Sequence, residues 1–139
     1  MDKAFELYSQ ANNLLLQISG PMSEEVATCI TQIASIQFKF GDFLQAIELQ
    51  TRAIVLLERL LGLDHPQVAY QYSTLAMYYH SCGYFQMSFT YMFRSLNILY
   101  LVAGDTHPEL ASIYLNLGLM YQEVEQQQAT IDSYTINLQ

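Results

Sequence analysis

The chain has 139 residues, and its hydrophobic content of 52% is ample for a packed interior, which argues for one folded domain and against disorder. Its net charge is −8, and its five Lys and Arg residues are scattered along the chain. They are too few to form a patch that binds nucleic-acid phosphates or an anionic membrane surface. No apolar run approaches the roughly 20 residues of a membrane helix, and no secretory signal opens the chain. Cys29 and Cys82 form no metal motif, so we expect a cytoplasmic protein with reduced thiols.

Apolar residues spaced three and four apart predict helices along the whole chain, separated by clear breaks. Gly41 and Gly83 supply the permissive backbone that ends a helix, and Pro66 falls in a first turn, where its missing N–H costs nothing. Thr106 and Glu109 form a capping box at another helix start. In chain order we predict seven helices, at about 4–18, 23–39, 43–60, 65–81, 85–102, 107–123 and, as a short last one, 127–138.

The breaks between the helices recur every 42 residues. One set of breaks lies at Gly20, Gly62 and Gly104, and the other at Gly41-Asp42-Phe43, Gly83-Tyr84-Phe85 and the decayed Glu125-Gln126-Gln127. A fixed period of this size is typical of stacked copies of one helix hairpin, each too thin to bury its apolar face alone. We therefore predict an all-α solenoid with an open, curved groove.

Small and large residues follow one order in the three copies. The positions are Ile30, Ile33, Ala34, Gln37, Gly41, Phe43, Ala46, Gln50 and Ala53; then Tyr72, Leu75, Ala76, Tyr79, Gly83, Phe85, Ser88, Met92 and Ser95; then Tyr114, Leu117, Gly118, Tyr121, Glu125, Gln127, Thr130, Tyr134 and Asn137. This order resembles the tetratricopeptide (TPR) pattern, in which small residues let the two helices of a unit approach each other. The resemblance implies a TPR-type α-α superhelix of about three 42-residue hairpins after a half repeat. We assign 1–19 to the half repeat, 20–61 to repeat 1, 62–103 to repeat 2 and 104–139 to a truncated repeat 3.

The joins between the repeats are similar to those of two TPR groups with long periods. The phrase Gly-x-x-His-Pro-x-x-Ala occurs at 62–69 and at 104–111. It resembles the kinesin light chain TPR domain and the TPR region of the clustered mitochondria (Clu) family. The stretches 84–89 and 94–96, followed by 104–111, look closer to Clu. Likeness to Clu implies a large cytosolic protein implicated in mitochondrial distribution and in handling mRNAs for mitochondrial proteins. Likeness to kinesin light chain implies a cargo adaptor instead.

The concave face of such a superhelix is lined by the first helix of each repeat, and we expect a protein or peptide partner there. The repeat order places on it Thr28, Thr31, Gln32, Ser35, Phe38, Lys39, Tyr70, Ser73, Thr74, Met77, His80, Ser81, Ser112, Leu115, Asn116, Leu119, Gln122 and Glu123. If they are exposed there, four of them form an apolar patch of the kind that a binding partner usually covers, namely Tyr70, Met77, Leu115 and Leu119. The alternative is that these residues are only solvated, or that they pack against another part of the same protein. The negative charge favours a basic or neutral partner over the acidic cargo of kinesin light chain.

No residue spacing suggests catalysis or a cofactor. His65 and His107 recur on neighbouring joins, but structural zinc needs about four convergent ligands, so we expect no metal site. We therefore predict a non-enzymatic interaction scaffold without a cofactor. Ile131, Tyr134 and Leu138 have no following repeat to cover them, which predicts self-association through the repeat ends.

Overall fold

The computed structural model describes residues 3–19, 23–104 and 108–138. Within those residues the chain consists of six α-helices and contains no strand. The helices are α1 (Lys3–Ser19), α2 (Glu24–Lys39), α3 (Phe43–Leu61), α4 (Pro66–Ser81), α5 (Phe85–Ala103) and α6 (Pro108–Leu138). Helices α2 with α3 and α4 with α5 form the two hairpins, α1 packs on α2, and α3 packs on α4. The predicted superhelix of repeated hairpins is confirmed, although the predicted corner at Gly20 and the cap at Thr106 and His107 lie outside the described residues.

Local sequence signals account for the ends of the helices. The Ser23 hydroxyl accepts the N–H of Val26 at 3.2 Å and so caps α2. In the same way His65 Nδ1 accepts the N–H of Gln67 at 3.0 Å, which gives this histidine a structural role at the start of α4. Gly41 and Gly83 lie two residues beyond the last residues of α2 and α4, and their φ angles of 87° and 85° lie in the left-handed region that glycine adopts without a steric penalty.

Small residues set the register inside each hairpin. The hydroxyl of Ser88 donates to the carbonyl oxygen of Ala76 at 2.7 Å, and that of Ser95 donates to the carbonyl oxygen of Ala69 at 2.6 Å. These four residues are fully buried. In the first hairpin the equivalent positions, 42 residues earlier, are Ala34, Ala46, Ala27 and Ala53, and these are fully buried as well. Close approach of two helices through small side chains therefore repeats along the chain.

The hairpins are joined into one continuous core by larger side chains. The Phe38 ring of α2 stacks on Tyr78 of α4 with centroids 4.6 Å apart, and Phe89 of α5 stacks on Tyr121 of α6 at 4.4 Å. The buried apolar residues form one cluster, which extends from Val26 in α2 to Met120 in α6. The helices of a hairpin pack on each other, and the hairpin also needs the neighbouring helices to bury its remaining apolar surface, as in stacked repeats.

The predicted break at 125–127 is wrong. Helix α6 has 31 residues and continues through the predicted break, so that 127–138 is the last part of α6 and not a seventh helix folded back on the sixth. The physical reason lies at Glu125, which holds the position of Gly41 and Gly83. A residue with a Cβ pays about 1–2 kcal/mol for the left-handed conformation, whereas glutamate and glutamine are good helix formers.

Candidate functional site

A cleft opens between α4 and α6, with α5 as its floor. Its volume is about 560 Å³. Helix α4 contributes Pro66, Gln67, Tyr70, Ser73, Thr74 and Met77, α5 contributes Ser95 and Leu99, and α6 contributes Glu109, Ser112, Ile113 and Asn116. Six of these twelve residues, Tyr70, Ser73, Thr74, Met77, Ser112 and Asn116, were predicted for the concave face.

The walls of the cleft combine apolar surface with hydrogen-bonding groups. Tyr70 is 57% exposed and Met77 is 36% exposed, although both are large and apolar. Leu99 and Ile113, which also line the cleft, are buried. Among the lining residues the single formal charge is the Glu109 carboxylate, so the cleft carries no cation that would attract an acidic ligand.

One end of the cleft is bridged by a polar contact. Nε2 of His80 on α4 lies 2.6 Å from Oε2 of Glu123 on α6, about one helical turn beyond Met77. The His80 ring also meets the edge of Phe85, with centroids 5.1 Å apart. The predicted groove residues His80 and Glu123 therefore contact each other and connect two repeats.

The groove residues predicted for repeat 1 lie apart from the cleft. Phe38 is packed against Tyr78, as described above, so it belongs to the joint between α2 and α4. The hydroxyls of Thr28 and Thr31 donate to carbonyl oxygens of their own helix, at 3.0 and 2.7 Å. Gln32 and Lys39 are exposed, and Ser35 is half-buried. In the later repeats, Ser81, Leu115, Leu119 and Gln122 are exposed outside the cleft.

Sequence reasoning missed the other six residues that line the cleft. Gln67 and Glu109 lie one helical turn before Tyr70 and Ser112, so extending the predicted stripe towards the helix starts would have found them. Ser95 and Leu99 come from the second helix of a hairpin. Their place at the floor depends on how α5 packs between α4 and α6, which no local pattern encodes.

The two cysteines are not activated as nucleophiles, and the histidines of the described residues belong to no metal-binding group. Burial raises the pKa of the thiols of Cys29 and Cys82, which keeps both protonated and makes them poor nucleophiles. In that part of the chain, no group of His, Cys, Asp and Glu side chains could hold a metal ion. The residues that line the cleft offer apolar surface, hydroxyl and amide groups, and the Glu109 carboxylate.

None of the helices in the described ranges is long and apolar enough to cross a membrane.

Comparisons with known proteins agree with the repeat architecture. A family model described as a tetratricopeptide repeat matches residues 26–67, which span α2, α3 and the start of α4. Among solved structures, the crystal structure of BtubC (BKLC) from P. vanneervenii is similar, with a TM-score of 0.81 and 27% sequence identity. The match covers 91% of this chain and 51% of the BtubC chain, so this chain spans about half the length of that protein. No curated protein matches the chain significantly. The fold is therefore a TPR-type α-α superhelix.

Proposed function

We propose that this chain is a non-enzymatic protein–protein interaction scaffold whose cleft between α4 and α6 holds an extended or helical peptide of a partner. TPR repeats generally mediate protein–protein interactions. The observation that carries the proposal is the exposure of Tyr70 and Met77 at the mouth of an open cleft. The cleft volume of about 560 Å³ lies within the range of about 300–1,000 Å³ that is typical of pockets for small ligands.

The composition of the cleft favours a partner peptide that is neutral or basic and carries apolar anchors. Apolar anchors would bury the exposed faces of Tyr70 and Met77, and Ser73, Ser112 and Asn116 offer groups for the peptide backbone. A site that clamps a terminal carboxylate needs several cations and amides. Lys39, the one Lys or Arg predicted for the concave face, lies outside the cleft. Long-range attraction by a chain of net charge −8 acts on cations. We propose no direct contact of this segment with nucleic acid or membrane.

The finer assignment that we propose is a Clu-like cytoplasmic protein implicated in mitochondrial distribution and in handling mRNAs for mitochondrial proteins. Its support is the likeness of residues 84–89, 94–96 and 104–111 to that family. A kinesin light chain-like cargo adaptor is the alternative, favoured by the long period and the same repeat join. The two differ in ligand charge, because an adaptor of that kind prefers acidic cargo motifs with a central tryptophan.

Selection from a random peptide display library tests the proposal. We expect enriched peptides to be neutral or basic, to bind the wild-type chain, and to lose binding to the Met77→Glu variant. The matched control is Met87→Glu, because Met87 is similarly exposed but lies on α5 outside the cleft. Enrichment of acidic, tryptophan-containing peptides would favour the adaptor. Equal loss of binding in both variants, or no enrichment, would contradict the cleft as the binding site.

A further inference from the structure

The first and last helices of the described chain, α1 and α6, each leave exposed a face that is buried elsewhere in the array. On α6, Tyr114 is 55% exposed, whereas Tyr72, 42 residues earlier on α4, is 8% exposed. On α1, Leu14 is 56% exposed, whereas Leu56, 42 residues later on α3, is 9% exposed. Neighbouring helices pack on both sides of α3 and of α4, whereas no helix of the described ranges covers these faces of α1 and α6.

The exposed face of α6 carries the small residues through which a hairpin closes. In the second hairpin, α4 meets α5 at Ala69 and Ala76, whose carbonyl oxygens accept hydrogen bonds from serine hydroxyls of α5. Adding 42 residues gives Ala111 and Gly118, which are both exposed. They are seven residues apart and therefore lie on one face of α6, and a Cβ built on Gly118 would meet nothing within 4 Å.

The exposed face of α1 carries the small residues of the other half of a hairpin. In the first hairpin these residues are Ala46 and Ala53 of α3, which are fully buried. Subtracting 42 residues gives Ala4, which is exposed, and Ala11, which is half-buried. These two are also seven residues apart and share a face of their helix. Helix α1 thus presents the surface of a second helix of a hairpin, and α6 presents that of a first helix.

We propose that α1 of one copy packs antiparallel on α6 of another copy and completes a hairpin with it. In the register of the two internal hairpins, Ala4 lies opposite Gly118, and Ala11 lies opposite Ala111. Both pairs form at once, because a step of seven residues forward along α1 matches a step of seven residues back along an antiparallel α6. Each copy thereby covers the face that the other leaves exposed.

Apolar side chains beside the small residues fit the same register. In the second hairpin, Tyr91 of α5 stacks on Tyr72 of α4. The equivalent pair between the two copies is Leu7 of α1 on Tyr114 of α6, and each of these side chains is 55% exposed. Their contact removes apolar surface of both copies from water, which favours association.

Charge also supports a second copy as the occupant. In this register the first turn of α1, with Lys3 and the positive end of the helix dipole, lies beside the part of α6 that leads to Glu125. Side chains of a helix lean towards its N-terminus, so in an antiparallel pair those of Lys3 and Glu125 lean towards each other. Opposite charges therefore meet at this end of the contact.

The contact joins opposite ends of the array, so each copy can bind one neighbour through α1 and another through α6. Such a heterologous contact gives open chains of copies unless its rotation closes a ring. The cleft stays free, because Ser112 and Asn116 line it from another face of α6. Association of this kind therefore does not depend on a peptide in the cleft.

Sedimentation velocity of the 139-residue chain over a wide concentration range tests the head-to-tail contact. We expect species larger than a dimer to form as the concentration rises. Gly118→Leu should weaken each contact more than about tenfold, because leucine cannot fit opposite Ala4. Gly118→Ala is the matched control and should associate like the wild type, since alanine occupies the equivalent positions 34 and 76. Circular dichroism checks that both variants keep the fold, as the open surroundings of Gly118 predict. A chain that stays monomeric, or an association indifferent to Gly118→Leu, would overturn the proposal.

A mixture of two end-blocked variants distinguishes this contact from a symmetric dimer. Gly118→Leu blocks the α6 end and Ala4→Leu blocks the α1 end, so each variant alone should be monomeric where the wild type associates. When they are mixed, the intact α1 of the first should bind the intact α6 of the second and give a 1:1 dimer that cannot extend. A mixture that stays monomeric, or one that forms larger species, would contradict the head-to-tail contact.

Discussion

The hydroxyl of Tyr72 donates a 2.6 Å hydrogen bond to Oε1 of Glu58, which connects α4 in the second hairpin to α3 in the first. The same ring has two neighbours on α5. Arg94 lies over it at 5.0 Å from the centroid, and Tyr91 stacks on it at 5.7 Å. Tyr72 therefore holds three helices together, and it does so next to the join between two repeats.

Removing this hydroxyl should destabilise the fold. We expect Tyr72→Phe to lower the free energy of unfolding by about 1–2 kcal/mol, because it deletes a hydrogen bond to a half-buried carboxylate. Urea unfolding followed by circular dichroism measures the change. The control is Tyr70→Phe, which removes a hydroxyl from an exposed ring and should change the stability by less than about 0.5 kcal/mol. Equal effects of the two substitutions would mean that the bond to Glu58 contributes nothing.

Stability should fall at alkaline pH. Burial, and then the hydrogen bond to Glu58, raise the pKa of Tyr72 above its ordinary value, and burial also raises the pKa of Tyr78 and Tyr79. A tyrosine whose folded pKa exceeds its unfolded pKa contributes stability that is complete below the unfolded value of about 10 and is lost as the pH rises through the folded value. Urea unfolding between neutral pH and pH values above the unfolded pKa should show this decline. Replacing Tyr72 by phenylalanine should make the decline shallower, and an unchanged slope would contradict the role of this phenol.

The register of the second hairpin predicts a steric effect at Ala76. We expect Ala76→Leu to destabilise the chain by about 1–3 kcal/mol, because the larger side chain meets α5 at a fully buried position. Thermal unfolding monitors the loss. Thr90→Leu is the control, since Thr90 is exposed on α5 and its hydroxyl bonds only to Gln86 of its own helix. An unchanged melting temperature for Ala76→Leu would show that the hairpin is packed in another register.

Replacement of glycine by alanine should lower the stability of the chain at Gly83 and raise it at Gly118. Gly83 has a φ angle of 85°, so Gly83→Ala should cost about 1–2 kcal/mol although no atom lies near the new methyl group. Gly118 lies inside a helix, where Gly118→Ala should stabilise α6 by about 0.5–1 kcal/mol. Chemical unfolding of the two variants measures both values. A gain in stability at position 83 would contradict the left-handed turn that ends α4.

The helix ends and the hairpin register could be predicted because their causes are local in sequence. Gly41 and Gly83 mark turns by their backbone freedom, Ser23 marks a helix start, and the small residues recur where helices touch. The same reasoning failed at Glu125. A polar tract in the expected place suggested a turn, but without glycine a helix of good helix formers continues.

The cleft could be predicted only in part. Residues on one face of a helix can be recognised from a spacing of three or four, which identified Tyr70, Met77 and Asn116. The width of the cleft depends on where α6 packs relative to α4 and α5. Contacts such as that of Phe89 with Tyr121 and that of His80 with Glu123 fix this position. Contacts between residues that are distant in sequence leave no local pattern to read.

The central claim, that the cleft between α4 and α6 receives the partner, is tested most directly by methyl NMR of the methionines during titration with a library-selected peptide. Met77 lines the cleft, Met87 is exposed on α5 outside it, and Met92 and Met120 are buried. We expect the Met77 methyl resonance to shift with the bound fraction while that of Met87 stays in place. A shift at Met87 with Met77 unchanged would place the partner on the other face of the superhelix and contradict the account.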